Sequence, residues 1–428
     1  MNASVPNDIL LMIFEQLVCV EDAEDDDEWP AIVYNRRIAQ APFIVSAVCR
    51  RWRKLSLSTS TLWTYFGFPE SINMNKHDVQ RLNLLQDRVG NAPIDVVLRW
   101  YHEEMGSEYI YDLFYLVLDA ILGLHLQWKT AVLEVPGTEN RTWTREAFQS
   151  PQWPLLESLS LITDDEELSV PVASRLRLMW LDCSRSGSKV HLILGGYPAL
   201  TMLGIDCHSE PIIRGLAPNF GRQLVELALL DDIDESVHEK IALGRGVFSR
   251  LQSLTLDDLR WLEQIEAPSL KKLVTTHRYS IDVDTEALRR FDHVCELQLC
   301  GEFKLHETIV LQDVCNITTL SLDCPSTLAT AFKQRNQSHR FNSAVLRELT
   351  GFEPPIWPHL QHLTFGESLY HSNGNEQAAR DVLFFVSARN VRTAQSDESA
   401  TARIIRVVAN HPGAPEWLEG SLRELISE

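Results

Sequence analysis

One spacing of apolar residues returns along most of this chain, and it restricts the fold more than any other feature. Each copy has an apolar residue, two variable residues, a leucine, one variable residue and another apolar residue. From Leu133, which with Val135 forms a degenerate first copy, to Leu320, the central leucines lie 26, 22, 22, 24, 27, 19, 24 and 23 residues apart. The other copies are Leu156-x-x-Leu159-x-Leu161, Leu178-x-x-Leu181-x-Cys183, Leu200-x-x-Leu203-x-Ile205, Leu224-x-x-Leu227-x-Leu229, Leu251-x-x-Leu254-x-Leu256, Leu270-x-x-Leu273, Val294-x-x-Leu297-x-Leu299, Ile317-x-x-Leu320-x-Leu322 and Leu360-x-x-Leu363-x-Phe365.

A period of roughly 20–29 residues with such a core resembles the leucine-rich repeat. Each copy is expected to form a short strand that cannot bury its apolar edge alone, so neighbouring copies pair into a curved parallel sheet. The sequence therefore predicts an α/β fold in which residues 128–428 form a leucine-rich-repeat solenoid with a C-terminal cap. An ordinary α/β domain rich in leucine is the alternative, but nine copies in one register disfavour it.

The first 68 residues carry a second pattern, made of two amphipathic segments and a Leu-Trp pair. Pro6 suits the first turn of a helix, where its missing N–H costs nothing. Two short helices cannot bury all their apolar surface between themselves, so the rest must cover another domain or a partner. The first apolar stripe is Ile9, Leu10, Ile13, Phe14 and Leu17, and the second is Ile44, Ala47, Val48, Trp52 and Leu55.

The strings Val5-Pro6, Val48-Cys49-Arg50-Arg51-Trp52 and Leu62-Trp63 resemble the F-box in their order. The F-box is the helical motif by which substrate receptors dock on a Skp-type adaptor of cullin ubiquitin ligases. A plain helical subdomain with aromatic core residues is the alternative that periodicity alone would favour. The resemblance implies that the adaptor is bound by Pro6, Ile9, Leu10, Ile13, Leu17, Val48, Cys49, Trp52, Leu62 and Trp63, with Trp52 and Trp63 as the strongest anchors.

The main departure from the F-box pattern is an insertion at residues 18–43. It contains an acidic run at residues 21–28, and a block of like charges favours a solvated loop. Because lengthening a surface loop costs little entropy, we expect the helix packing to survive. The predicted organisation is therefore an F-box at 1–68 with this insertion, a helical bridge at 69–127 and the solenoid at 128–428.

Composition narrows the function further. Net charge is −20, which disfavours nucleic-acid binding because neutralising phosphates needs a basic surface. The longest apolar stretch, residues 113–126, is too short to span a bilayer, so no membrane is expected. Eight cysteines without a CxxC pair indicate a reducing compartment, the cytoplasm or the nucleus.

No motif for a nucleophile, a metal or a nucleotide is present, so the sequence predicts neither catalytic residues nor a cofactor or metal. One recurring position is polar: Asp182, Asp206, Asp257 and Asp323 follow the apolar core of their copies. They are predicted to lie on the exposed face of the sheet and to bind a basic segment of a target protein. The alternative is that these aspartates only end strands and begin turns.

The sequence as a whole predicts a non-catalytic receptor in a Skp–cullin–F-box ubiquitin ligase, with the Skp-type adaptor, the cullin and an unknown target protein as partners. A repeat scaffold that binds partners without a cullin is the alternative. An enzyme with an unrecognised site is a third possibility, which the lack of motifs disfavours.

Overall fold

The chain divides into two compact units after residue 212. The computed structural model describes residues 5–18, 34–100, 108–135, 152–163, 167–182, 189–192, 195–206, 216, 218–230, 246–275, 285–300, 314, 316–322, 344–352, 355–365, 375–395, 402–408 and 414–427. Helices and parallel strands occur in both units, so the predicted α/β class is confirmed.

The first unit begins with helices and continues as a sheet. Its helices are α1 (Asn7–Val18), α2 (Arg36–Val48), α3 (Arg50–Leu57), α4 (Lys76–Val89) and α5 (Glu108–Leu122), with a 3-10 turn at Ser60–Trp63. Its strands are β1 (Tyr65–Gly67), β2 (Ile94–Arg99), β3 (Trp128–Val135), β4 (Ser158–Thr163), β5 (Glu167–Val170), β6 (Leu178–Asp182), β7 (Lys189–Leu192) and β8 (Met202–Asp206). Its main sheet has the order β1-β2-β3-β4-β6-β8, paired in parallel, while β5 pairs with β7 apart from it.

The second unit is likewise built on a parallel sheet, but its helices lie between and after the strands. Its strands are β9 (Glu226–Leu230), β10 (Gly246–Val247), β11 (Ser253–Leu256), β12 (Ile265–Glu266), β13 (Lys272–Thr275), β14 (Glu296–Leu299), β15 (Thr319–Leu322), β16 (His362–Phe365) and β17 (Arg406–Val408). The main sheet has the parallel order β9-β11-β13-β14-β15-β16-β17, and β10 pairs with β12 separately. Its helices are α6 (Thr285–Arg289), α7 (Ala344–Leu349), α8 (Asn375–Gln395) and α9 (Glu416–Ser427).

Strand register builds a continuous apolar column inside each unit. Side chains alternate along a strand, so the residue at the centre of each strand faces the same side as its register partner. In the first unit the column is Phe66, Val96, Ala131, Leu159, Met179 and Leu203, and all six are buried. In the second it is Leu227, Leu254, Leu273, Leu297, Leu320, Leu363 and Val407, buried except for the half-buried Val407.

Two copies have a different register from the predicted one. Met179, and not Leu181, pairs with Leu159, so that copy is Leu176-x-x-Met179-x-Leu181. Leu176 is buried whereas Leu178 is half-buried, so the predicted Leu178-x-x-Leu181-x-Cys183 lies two residues too late. The first copy is shifted in the same way, because Ala131 and not Leu133 occupies the central position.

The sheet also begins earlier than the predicted repeats. Strands β1 and β2 precede residue 128, so the segment predicted as a helical bridge holds a strand between helices α4 and α5. At the N-terminus three helices replace the predicted two, because Cys49 has extended backbone angles (φ −158°, ψ 169°) between α2 and α3. Helix α2 also begins at Arg36, so the end of the insertion predicted as a loop at 18–43 is helical. The acidic run at residues 21–28 lies outside the described residues.

Candidate partner-docking surface

Helix α1 presents one apolar side to its own chain and another to solvent. Leu10 and Phe14 are buried, while Ile9, Ile13 and Leu17, spaced four residues apart, are each 45–47% exposed. Met12 beside them is 62% exposed. Leaving apolar side chains of this size in water costs free energy that a partner would recover by covering them. The predicted α1 stripe is therefore split, with part of it in the core and the rest on the surface.

Helices α2 and α3 pack against α1 and add to its exposed apolar residues. Eight of the eighteen exposed large apolar side chains in the described part of the chain lie between residues 5 and 57. Single exposed apolar residues are ordinary, but this concentration is typical of a binding surface. We call it the N-terminal apolar surface; it comprises Val5, Ile9, Met12, Ile13, Leu17, Ile44, Val48 and Leu57.

The helices beneath this surface are fixed by aromatic packing and by arginine hydrogen bonds. The rings of Phe14 and Trp52 meet edge to face at 4.9 Å between centroids, which joins α1 to α3. Arg51 donates from Nη2 to the Val5 carbonyl at 2.5 Å and to Asn7 Oδ1 at 2.6 Å. Arg53 donates from Nε to the Ser46 carbonyl at 2.9 Å. Two of the four α3 cations therefore hold neighbouring segments in place.

The other two α3 cations, Arg50 and Lys54, are exposed and lie four residues apart on one side of the helix. Like charges at this spacing destabilise a helix, and a cation in the first turn also opposes the helix dipole. No ion pair to either residue occurs within the described ranges. These two charges are therefore available to an acidic partner.

Leu62 and Trp63 lie inside the molecule, not on its surface. Trp63 is 1% exposed, and its indole Nε1 donates to the Ser56 carbonyl at 2.8 Å. The Arg88 guanidinium lies 4.7 Å from the Trp63 ring centroid, and Phe43 packs against the ring edge to face. Leu10, Leu62 and Trp63 were predicted as adaptor contacts, but all three are buried in the chain itself, whereas Trp52 is half-buried.

The remaining predicted adaptor contacts are open to solvent. Pro6, Ile9, Ile13, Leu17, Val48 and Cys49 are all exposed. The Cys49 sulfur accepts a hydrogen bond from the Trp52 amide and so caps α3. Four residues of the N-terminal apolar surface were not among the predicted contacts: Val5, Met12, Ile44 and Leu57. A helix places Met12, three residues after Ile9, next to it on the helix surface, and this spacing was the available sequence signal for Met12.

Helix α2 connects the N-terminal apolar surface to the sheet within the first unit. Asn35 caps α2 with its side chain, and its backbone N–H donates to the Tyr65 hydroxyl at 2.8 Å. Ile38 and Ala39 pack with Tyr65, Val97 and Val132 of the first three strands. Burial raises the pKa of the Tyr65 phenol, and the hydrogen bond from the Asn35 N–H partly opposes this shift. Helix α2 is therefore fixed to the edge strand β1.

The prediction that these aspartates lie on an exposed face is wrong for the three that the structure describes. Asp182, Asp206 and Asp257 are each at most 6% exposed, and Asp323 lies outside the described residues. Asp182 and Asp206 are register partners, and the same face carries the buried Trp180 over Gly204. A bulky indole on that face, next to the strand ends, explains why these carboxylates are not on an open surface.

The described residues contain no group of three or more His, Cys, Asp and Glu side chains that could hold a metal ion. Among the described helices, none combines the length and the apolar character needed to cross a bilayer. Comparison with known proteins gave no protein-family model and no curated protein that matches this chain.

Proposed function

We propose that this chain is an F-box protein with a leucine-rich-repeat solenoid, and that it serves as the substrate receptor of a Skp–cullin–F-box ubiquitin ligase. The N-terminal apolar surface is the observation that carries the proposal. It lies on the segment whose motif order resembles the F-box, and its residues are exposed in the absence of a partner. The parallel strands with one buried column in each unit support the repeat half of the proposal.

The receptor would work by placing two proteins close together. The docking surface would bind the Skp-type adaptor, and the repeat strands would hold a target protein. Binding both in one assembly raises the effective concentration of target lysines near the activated ubiquitin. The chemistry of transfer then belongs to the other subunits, so the chain itself needs no nucleophile or cofactor.

The test is a double substitution, Ile13→Asp with Val48→Asp. Both side chains are about half exposed, so the free energy of unfolding should change by less than about 1 kcal/mol. Docking would bury only the exposed half of each apolar side chain, which contributes roughly 0.8–1.5 kcal/mol per residue, so losing both should weaken adaptor binding at least about tenfold. Binding of the purified chain to a purified Skp-type adaptor measures this.

The matched control is Leu116→Asp on α5, where the leucine is 49% exposed but lies outside the docking surface. It should leave adaptor binding unchanged. Trp63→Ala is a second comparison: it should lower the free energy of unfolding by roughly 3–5 kcal/mol, because it empties a buried indole site. Adaptor binding of wild-type strength in the double variant contradicts the proposal, and adaptor capture without any cullin favours the cullin-free scaffold.

A further inference from the structure

Helix α8 leaves one side of its surface open and uncharged. Phe384 and Val391, seven residues apart, are each 50% exposed, and Ser387 and Ala388 between them are half-buried. Residues three, four and seven positions apart lie on the same side of a helix, so these four side chains form one band. We call it the α8 band. Its phenylalanine and valine leave apolar surface in water that a binding partner would cover.

The other sides of α8 are held by polar contacts, which fix the direction of the band. Arg389 is 6% exposed, and its guanidinium donates to the carbonyls of Ile356 and Trp357. Asn390 Nδ2 donates to the Ile404 carbonyl at 3.3 Å, and Asn390 Oδ1 accepts from the Ile404 N–H at 2.9 Å. A partner therefore meets a surface that does not have to be ordered on binding, which favours association.

The charges around the band favour an uncharged partner surface. None of its four residues is charged, and Glu376 and Arg380, which precede it on the helix, pair with each other at 3.4 Å. The band therefore has no charge with which to select an acidic or a basic partner. The chain carries a net charge of −20, so two copies repel each other overall, and an uncharged band is where they can approach at the least electrostatic cost.

The order of side chains along the band is that of a surface that fits a copy of itself. From either end a large apolar residue comes first, two small residues follow, and a large apolar residue ends the band. If a second α8 lies antiparallel, with a two-fold axis between Ser387 and Ala388, Phe384 of each copy lies beside Val391 of the other. Such a contact uses the same patch on both copies, and the small residues at its centre let the helix axes approach to about 8 Å.

The size of α8 indicates how strong such a contact can be. Helix α8 has 21 residues, so it is about 31 Å long and about 10–12 Å wide, and one of its sides covers roughly 300–400 Å². A stable interface buries about 800 Å² on each partner. The contact through α8 falls below that area, so we expect a weak dimer with a dissociation constant in the micromolar range or above.

We propose that the α8 band is a self-association surface, through which two copies of this chain form a weak dimer with two-fold symmetry. The inference goes beyond the proposed function and does not depend on it. A dimer would carry two N-terminal apolar surfaces, so it would assemble two docking partners where the monomer assembles one. Because the contact is weak, the local concentration of the chain would decide which form is present.

The experiment is sedimentation velocity on the full chain from about 5 to about 300 µM, where the sedimentation coefficient should rise with concentration. Phe384→Asp with Val391→Asp should raise the dissociation constant at least about 100-fold, because each half-exposed side chain is lost from both copies. Leu84→Asp, at a leucine 40% exposed on α4, should change nothing. Ile13→Asp with Val48→Asp should also leave the dimer intact, which separates the α8 band from the N-terminal apolar surface.

A cysteine next to the two-fold axis gives a second readout that does not rely on a disruptive variant. Oxidation of Ser387→Cys should link two copies, since helices about 8 Å apart bring these two positions within disulfide reach. The control is Glu376→Cys, also on α8, which in the antiparallel pair lies about 35 Å from its counterpart. The wild-type chain, with eight cysteines, gives the background. The inference is overturned by a chain that stays monomeric throughout, by association that survives the α8 substitutions, or by equal linking of the two cysteine variants.

Discussion

At the scale of single residues, Gly204 shows how one missing side chain makes room for another. It lies on β8 opposite Trp180 of β6, its register partner. A Cβ atom built on Gly204 would come 2.1 Å from Trp180 Cε3, far inside van der Waals contact. The φ of Gly204 is not in the left-handed region, so the need for glycine is one of space and not of backbone conformation.

Gly204→Ala should therefore destabilise the chain through overpacking, by about 1–3 kcal/mol. Urea denaturation of the wild-type chain and the variant would measure this loss in the free energy of unfolding. Gly420→Ala is the matched control, because nothing lies within 4 Å of a Cβ there and the residue is inside α9. That change should instead raise the free energy of unfolding by ~0.5–1 kcal/mol. Combining Trp180→Leu with Gly204→Ala should recover part of the free energy of unfolding that Gly204→Ala loses. If it does not, the clash with the Trp180 ring is not the cause of that loss.

At the scale of elements, the sequence predicted the class and the parallel strands but not every boundary. The Leu178 copy was placed two residues late because leucines at 176, 178 and 181 fit the pattern in either register, and a shift of two keeps the same face. Only pairing with Leu159 decides between them.

Two other boundaries were also missed. No glycine or proline in the sequence marks the break between α2 and α3 at Cys49. Strand β2 had a signal, the apolar run Val96-Val97-Leu98, within a segment predicted to be helical.

The candidate site was predictable in composition but not in exposure. Periodicity placed Ile9, Leu10, Ile13, Phe14 and Leu17 on one stripe, yet a wide stripe can serve a core and a partner together. Which residues are buried depends on where Trp52 and the 3-10 turn pack, and this is a tertiary property. Leu62 and Trp63 illustrate the same limit. A Leu-Trp pair that anchors a partner and a Leu-Trp pair buried in the core cannot be told apart in the sequence.

Helix α3 supplies a prediction about charge. Reversing Arg50 and Lys54 to Glu should slow association with the Skp-type adaptor by roughly tenfold at low salt, because charges at the rim of an interface act mainly through steering. The dissociation rate should change little, and the difference should shrink as ionic strength rises above about 0.15 M. Stopped-flow association at several salt concentrations measures both.

The control for this reversal is Arg423→Glu, an exposed arginine on α9 outside the docking surface. It lowers the net charge of the chain by about half as much as the double reversal, since one cation is reversed instead of two, and it should leave the association rate nearly unchanged. An association rate that is independent of salt in the wild-type chain would show that the partner is not acidic at this position, while leaving the apolar docking itself intact.

At the scale of the whole molecule, the order of strands in each sheet follows the order of the chain, apart from the short strands of the smaller sheets. Each central residue packs against the same position in the copy before and the copy after it. Stability in such an array is close to a sum of terms between nearest neighbours. A defect in one copy should therefore weaken that copy and its neighbours before it affects distant ones.

Leu297→Ala tests this within the second unit. Leu297 is 1% exposed at the centre of β14, so its loss should cost about 2–5 kcal/mol through lost burial and the cavity that remains. Hydrogen exchange should then show reduced protection in β13, β14 and β15, with β9 and β17 retaining theirs because they do not contact the defect. Leu116→Ala, at an exposed leucine, should change no strand. A uniform loss of protection from β9 to β17 would instead mean that the seven strands of the main sheet unfold as one cooperative unit, and the stability of the array could then not be tuned copy by copy.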